Sequence, residues 1–200
     1  MSPRKSVAET AATRDRILGS ALALASAEGL EGLTIGRLAT GLGMSKAGVI
    51  GHFGSKEALQ LATLDTAVER FRLRVPGRAV GARPGTERLA RAFDEWISYM
   101  AEDEGHGGCF LTSVASEFDG RPGPVRDAVL TALTAWTAYV TAELDTAIRT
   151  GQLPERTDVD QLVFELGGAI LAADQAIQLH RDPQAPTRAR RAIARLLIAV

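Results

Sequence analysis

Residues 34–56, TIGRLATGLGMSKAGVIGHFGSK, constrain the fold more than any other stretch of the chain. They hold the signals for two short helices, the tight turn between them and the start of a third helix. Ile35, Leu38, Ala39 and Leu42 fall at the i, i+3, i+4, i+7 spacing of a helix with one buried face. Thr34 is placed to cap it, and Gly43 ends it where a left-handed residue is needed. Met44 can fill the angle between the helices, and Ser45 can cap the next one, expected from Lys46 to His52. Val49, Ile50 and Phe53 would anchor this second helix, leaving Ser45, Lys46, Ala47 and Gly48 free at its N-terminal end. Small residues there allow close backbone approach, so the pattern suits insertion into a groove of DNA.

The rest of the chain reads as helices with ordinary punctuation. Ile17, Leu18, Ala21, Leu22 and Ala25 form a stripe from Thr13 to Glu28, stopped by Gly29. Ser55 caps a long helix carrying Leu59, Ala62, Leu64, Val68 and Phe71, with Glu57 favourable in its first turn and Pro76-Gly77 at its end. Val75 to Gly85 contains prolines and glycines without apolar periodicity and is the expected linker. Thr86 is the expected cap of a helix reaching about Ala101, broken by the GHGG run at 105–108. A short apolar helix follows from Cys109 to Glu117. Pro124 then opens a long one ending at Gly151, and Thr157-Asp-Val-Asp resembles a capping box for another to about His180. Gly167 and Gly168 within it cost roughly 1 kcal/mol each relative to Ala, which points to close approach by a neighbouring helix. A last helix is expected from Thr187 to Ala199. With no convincing strand alternation and no internal repeat, the expected fold is all-α with about nine helices: a three-helix helix-turn-helix head on a helical body.

Composition narrows the function classes. The formal net charge is −1. Residues 1–60 contain seven Lys and Arg against five Asp and Glu, a balance of +2, so the remainder totals −3. All three lysines, Lys5, Lys46 and Lys56, lie in this first part. A basic head on a mildly acidic body suits phosphate contact at one end. No apolar run long enough for a signal peptide or a membrane span occurs, so a cytoplasmic protein with no membrane partner is expected. Cys109 is the single cysteine, which excludes an intrachain disulfide and a Cys cluster for zinc. Neither a metal nor a cofactor is expected.

These motifs together resemble the TetR/AcrR family of one-component transcriptional repressors. The resemblance is carried by the Glu28-Gly29 helix end, Thr34-Ile-Gly-Arg-Leu-Ala, Gly43-Met-Ser-Lys-Ala-Gly and above all His52-Phe-Gly-Ser-Lys-Glu-Ala-Leu59, which is similar to the family's H-F-x-[ST]-K-[ED]-x-L signature. Gly107-Gly-Cys-Phe, Glu117-Phe-Asp-Gly-Arg-Pro-Gly-Pro and Phe164-Glu-Leu-Gly-Gly are similar to the C-terminal domain of one subgroup. The chain departs from the pattern at Ile50, where the family often has a Tyr facing the DNA backbone, and at Gly51, often a polar residue.

The resemblance implies a DNA-binding domain at 11–71, with its helix-turn-helix at about 34–53, and an effector-binding and dimerisation domain at 84–200. The expected function is a homodimeric repressor on a palindromic operator of double-stranded DNA, released by a small apolar or aromatic effector. Lys46 and Lys56, each in the first turn of a helix, are the expected phosphate partners. Thr34, Arg37, Ser45, Ala47 and Gly48 complete the DNA-facing set together with His52, whose alternative role is packing or capping. Phe93, Trp96, Tyr99, Met100, Phe110, Val114, Phe118, Trp136 and Tyr139 are the expected effector-pocket residues, the alternative being plain core. Leu162, Leu166, Gly167, Ile170, Ile193 and Leu197 are the expected dimer interface, the alternative being intramolecular packing. Two further classes stay open at this point: an all-α enzyme using Glu95, His106 or Glu117 as acid or base, and a DNA-binding regulator without an inducer. His106 and Cys109, three positions apart, lack a third ligand for a metal.

Overall fold

A computed structural model describes residues 7–102 and 108–198. Among them there is no strand, and ten helices follow one another: α1 (Val7–Glu28), α2 (Ile35–Leu42), α3 (Lys46–Phe53), α4 (Lys56–Arg74), α5 (Pro76–Ala79), α6 (Thr86–Glu102), α7 (Phe110–Phe118), α8 (Pro124–Arg149), α9 (Val159–Gln178) and α10 (Ala185–Ile198). The all-α expectation holds. No helix among the described residues is long and apolar enough to cross a membrane.

The head forms around Ile17, Ala21, Leu30, Leu33, Leu38, Val49 and Leu59, all nearly or completely buried. These side chains come from α1, the loop after it, α2, α3 and the first turns of α4, so the head closes on the start of α4. That helix then runs on through the body, packing against α1, α5 and α8. Its later residues Leu64 and Phe71 face the body's core with Phe93, Ile97, Leu144 and Leu166. One helix thus belongs to both hydrophobic groups, and α6, α8, α9 and α10 build the rest of the body.

Two local expectations differ from what forms. The segment expected as a linker carries the one-turn helix α5, and its end is pinned: the Glu143 carboxylate accepts the Gly85 N–H at 2.7 Å and pairs with Arg88 at 3.0 Å. Gln152 also reaches across, accepting the Thr86 N–H and donating to the Pro84 carbonyl. The cap of α9 is Asp158 rather than Thr157. Its carboxylate accepts the Gln161 N–H at 3.0 Å, while the Thr157 hydroxyl donates to the Pro154 carbonyl. A Cβ built on Gly167 or Gly168 meets nothing within 4 Å among the described residues, so the gap they leave is open within one chain. The helix expected to run to Ala199 is described only to Ile198.

Candidate nucleic-acid interface and effector cavity

The helix-turn-helix is built from side chains that satisfy helix ends. Thr34 is extended and accepts the Arg37 N–H at 3.3 Å. Gly43 closes α2 at φ 62°, in the left-handed region, with its N–H on the Thr40 carbonyl and the Met44 N–H on the Ala39 carbonyl. Ser45 then accepts the Gly48 N–H at 3.0 Å, and Ser55 accepts the Ala58 N–H at 3.0 Å to start α4. Val49 is fully buried, which turns Lys46, Ala47, Ile50 and Gly51 outward along one face of α3. Ile50 is 42% exposed rather than the anchor it was expected to be. Burying Val49 directs that neighbouring position to solvent.

The expected DNA-facing side chains divide into two groups. Ser45, Lys46, Ala47 and Thr34 are exposed, with Gly48 half-buried beside them. The end of the Lys46 stem lies across α2, where a Cβ on Gly36 would come within 3.1 Å of it. Arg37 and Lys56 are engaged within the chain instead. The Arg37 guanidinium makes a two-pronged pair with Glu28 at the end of α1. Lys56 Nζ donates to the Glu31 carbonyl at 2.8 Å and lies 3.2 Å from its carboxylate. Hydrogen bonds from Lys56 and then Gln60 hold the Glu31 carboxyl below its ordinary range. His52 is half-buried, and its carbonyl accepts a bond from Arg14 Nη1 at 2.8 Å. The same guanidinium lies 4.3 Å over the Phe53 ring, stitching α1 to the end of α3. Arg14 carried no sequence signal for this role because its partners lie 38 residues away.

The body carries a half-open apolar cavity of about 330 Å³ between α4, α5, α6, α7 and α8. Its walls include Val68, Phe71, Trp96, Leu133, Trp136 and Tyr139. Trp136 is the hub of the aromatic group. Its ring is edge-on to Phe71 at 5.4 Å, to Phe93 at 5.6 Å and to Trp96 at 4.9 Å, and tilted to Tyr139 at 5.4 Å. Trp96, Leu133 and Trp136 also face a second cavity of about 410 Å³ shared with α7 and α9. Arg72 at the wall of the first cavity is paired with Glu69, 2.7 Å away. The Tyr139 hydroxyl has no hydrogen-bond partner among the described residues, and burial pushes its pKa up.

Of the nine expected pocket residues, the structure therefore places Trp96, Trp136 and Tyr139 at the cavity, with Phe93 behind Trp136. Met100, Phe110, Val114 and Phe118 are buried in the general core. Tyr99 lies instead in a polar cleft with Leu22, Arg70, Arg74 and Glu102. The sequence pattern missed Phe71 because it sits on the helix that also serves the head, although its place in the α4 stripe was the available signal. Cys109 is fully buried, and burial pushes its thiol pKa up.

Of the six expected dimer residues, five face inward within one chain and Gly167 stays open. Leu162, Leu166, Ile170, Ile193 and Leu197 are each at most 4% exposed within one chain. They hold α9 and α10 to the body and to each other. The outward face of α9 instead presents Phe164, 75% exposed, and Leu171, 58% exposed, on either side of the open Gly167-Gly168 step. Glu95 pairs with Arg78 and Arg91, and Glu117 accepts backbone N–H groups. His106 lies outside the described residues. Among the described residues no three His, Cys, Asp or Glu side chains gather as a metal site.

A capped helix-turn-helix with an exposed second helix, tied by one long helix to a helical body, defines a class of DNA-binding regulator. Comparison with known proteins agrees. The profile described as "Bacterial regulatory proteins, tetR family" matches residues 17–63, and that described as "Tetracyclin repressor-like, C-terminal domain" matches residues 85–193. The chain belongs to the TetR family of transcriptional regulators. A TetR transcriptional regulator from Chloroflexus aurantiacus J-10-FL is 27% identical and superposes with TM-score 0.80 over 96% of this chain and 95% of its own. A transcriptional regulator from Saccharomonospora viridis, solved in complex with choline, is 22% identical with TM-score 0.78, over 92% of this chain and 94% of its own. AibR, solved with isovaleryl coenzyme A and operator DNA, is 19% identical with TM-score 0.71, over 92% of this chain and 97% of its own. Curated proteins give no match in sequence.

Proposed function

We propose that this TetR-family regulator acts as a homodimeric repressor, with a DNA-binding domain at 11–71 and an effector-binding and dimerisation domain at 84–200. The observation that carries the reading is the face of α3. Capping by Ser45 and burial of Val49 leave Lys46, Ala47, Ile50 and Gly51 outward on a helix with little side-chain bulk. Such a helix can lie close in the major groove, with Lys46 on a phosphate and the N-terminal N–H groups beside it. Two copies reading half-sites about 34–36 Å apart require a palindromic operator. Exposed ion pairs are worth roughly 0–1 kcal/mol, so Arg37 can exchange Glu28 for a phosphate at small cost.

The effector that fits is a small apolar or aromatic molecule with one polar group. The walls of the 330 Å³ cavity are aromatic and aliphatic, its arginine is already paired, and the Tyr139 hydroxyl is free to bond to a ligand. Neighbours of the same fold were solved with ligands as different as choline and isovaleryl coenzyme A, so the fold alone does not fix the ligand.

Binding of a duplex selected from a random-sequence pool, measured across salt concentrations, tests the head. Lys46→Ala should weaken binding and reduce the salt slope by about 1. Lys56→Ala should leave the slope nearly unchanged and act through the Glu31 loop instead. Wild-type affinity and slope in Lys46→Ala would overturn the placement of α3 on DNA.

A further inference from the structure

Glu117 is the body residue most directly bonded to the head. It sits in the last turn of α7, and its carboxylate accepts the Leu30 N–H at Oε2 and the Glu31 N–H at Oε1, both at 2.8 Å. Leu30 and Glu31 belong to the loop between α1 and α2. The fit is close: Gly29 has φ 83°, and a Cβ there would come within 3.0 Å of Glu117 Oε1. Carboxylate-to-backbone bonds of this kind are charge-assisted and stronger than neutral ones.

The same loop is gripped from its other side by α4. Gln60 Nε2 donates to the Leu30 carbonyl at 2.9 Å, and Lys56 Nζ donates to the Glu31 carbonyl at 2.8 Å. The peptide groups at 30 and 31 are therefore held at their N–H side by α7 and at their C=O side by α4. Both of those helices are also cavity walls. α4 supplies Val68 and Phe71, and α7 supplies Leu111 to the smaller cavity and Thr112, Ala115 and Ser116 to the larger one.

At the opposite end of α7, Asp174 of α9 accepts the Cys109 N–H at 3.2 Å and the Thr112 hydroxyl at 2.8 Å. A nine-residue helix, about 13 Å long, is thus fixed by one carboxylate to the body and by another to the head. We infer that Glu117 is the positioning residue through which the cavity and the DNA-facing head are coupled, with α7 as the rod between them. A molecule that displaces α7 moves the Glu117 carboxylate away from Leu30 and Glu31, and the loop between α1 and α2 loses one of its two holds. The inference rests on the DNA-binding reading above. Linkage makes the coupling reciprocal, so DNA at the head must be felt at the cavity.

That reciprocity gives a test without a known effector. The chain has two tryptophans, Trp96 and Trp136, and both face the two cavities. Their fluorescence should change when the protein binds the duplex selected from the random pool. Glu117→Gln keeps one acceptor oxygen and puts an amide against the second N–H, and Glu117→Ala removes both acceptors. Each variant should still bind the duplex, with less than a third of the wild-type fluorescence response. A purely stabilising role would lower the melting temperature and leave that response intact, and this result overturns the inference. In wild-type protein, duplex binding should slow amide exchange at Leu30 and Glu31 at least threefold. No change there, or no fluorescence response in wild type despite a bound duplex, also overturns the coupling while leaving DNA binding in place. Retention of no duplex at all sinks the DNA-binding reading, and this inference with it.

Discussion

Ile50 stands in the middle of the outward face of α3, where the family often carries a tyrosine. Its exposure of 42% shows that the head's core does not need it. A tyrosine there could place its hydroxyl on a phosphate and its ring against the sugar, which is worth about 1 kcal/mol for a typical hydrogen bond. Ile50→Tyr should therefore tighten duplex binding about fivefold without changing the melting temperature appreciably, as a titration by fluorescence anisotropy would measure. Unchanged or weaker binding would mean that position 50 does not face the backbone. At this scale the sequence was informative wherever the physics was local. Thr34, Ser45 and Ser55 cap the helices that their own neighbours form, and Gly43 supplies the left-handed turn. Partners far along the chain were invisible: Arg37 finds Glu28, Lys56 finds Glu31 and Glu117 finds the loop at 30–31, because tertiary closure selects them.

Among the elements, α4 carries the heaviest demands, since its first turn belongs to the head and its later turns to the cavity wall. Its start is fixed by Ser55, whose hydroxyl accepts the Ala58 N–H. Ser55→Ala should cost about 1 kcal/mol, seen as a fall in melting temperature of roughly 2–4 °C for a chain of this size. The variant should also hold Lys56 less firmly over Glu31, so amide exchange at Glu31 should quicken. An unchanged melting temperature would show that the turn at Gly54, not the cap, sets the helix start. The long helices were legible because periodicity accumulates over many turns, as in α6 and α8. α5 was not, because four residues carry no period, although Pro76 at its first position is a known helix opener. Its surroundings are ordered by Arg88, which donates to the Ala82 carbonyl, and by Glu143, which lies far away in sequence and holds both Arg88 and the Gly85 N–H.

For the molecule as a whole, the proposed dimer requires a surface that can join two copies. Sequence periodicity identified the apolar stripe of α9 and α10 correctly as a stripe, but a helix with apolar residues on more than one side gives no rule for which side its own chain will cover. Leu162, Leu166 and Ile170 went inward, and the opposite side was left with Phe164, Gly168 and Leu171 open. Burying a large apolar side chain is worth about 1.5–3 kcal/mol. Phe164 and Leu171 have about two thirds of that still to gain, so counting both twice in an isologous dimer gives roughly 4–8 kcal/mol, enough to offset part of the cost of association. The double variant Phe164→Arg, Leu171→Arg should therefore sediment as a monomer at concentrations where the wild type sediments as a dimer. It should keep its helical content, because neither side chain packs in the core, and should bind a single half-site about as well as the wild type. Its affinity for the full palindrome should fall at least a hundredfold, since nothing then holds two α3 helices about 34–36 Å apart. A dimer that survives both substitutions would move the interface off this face of α9.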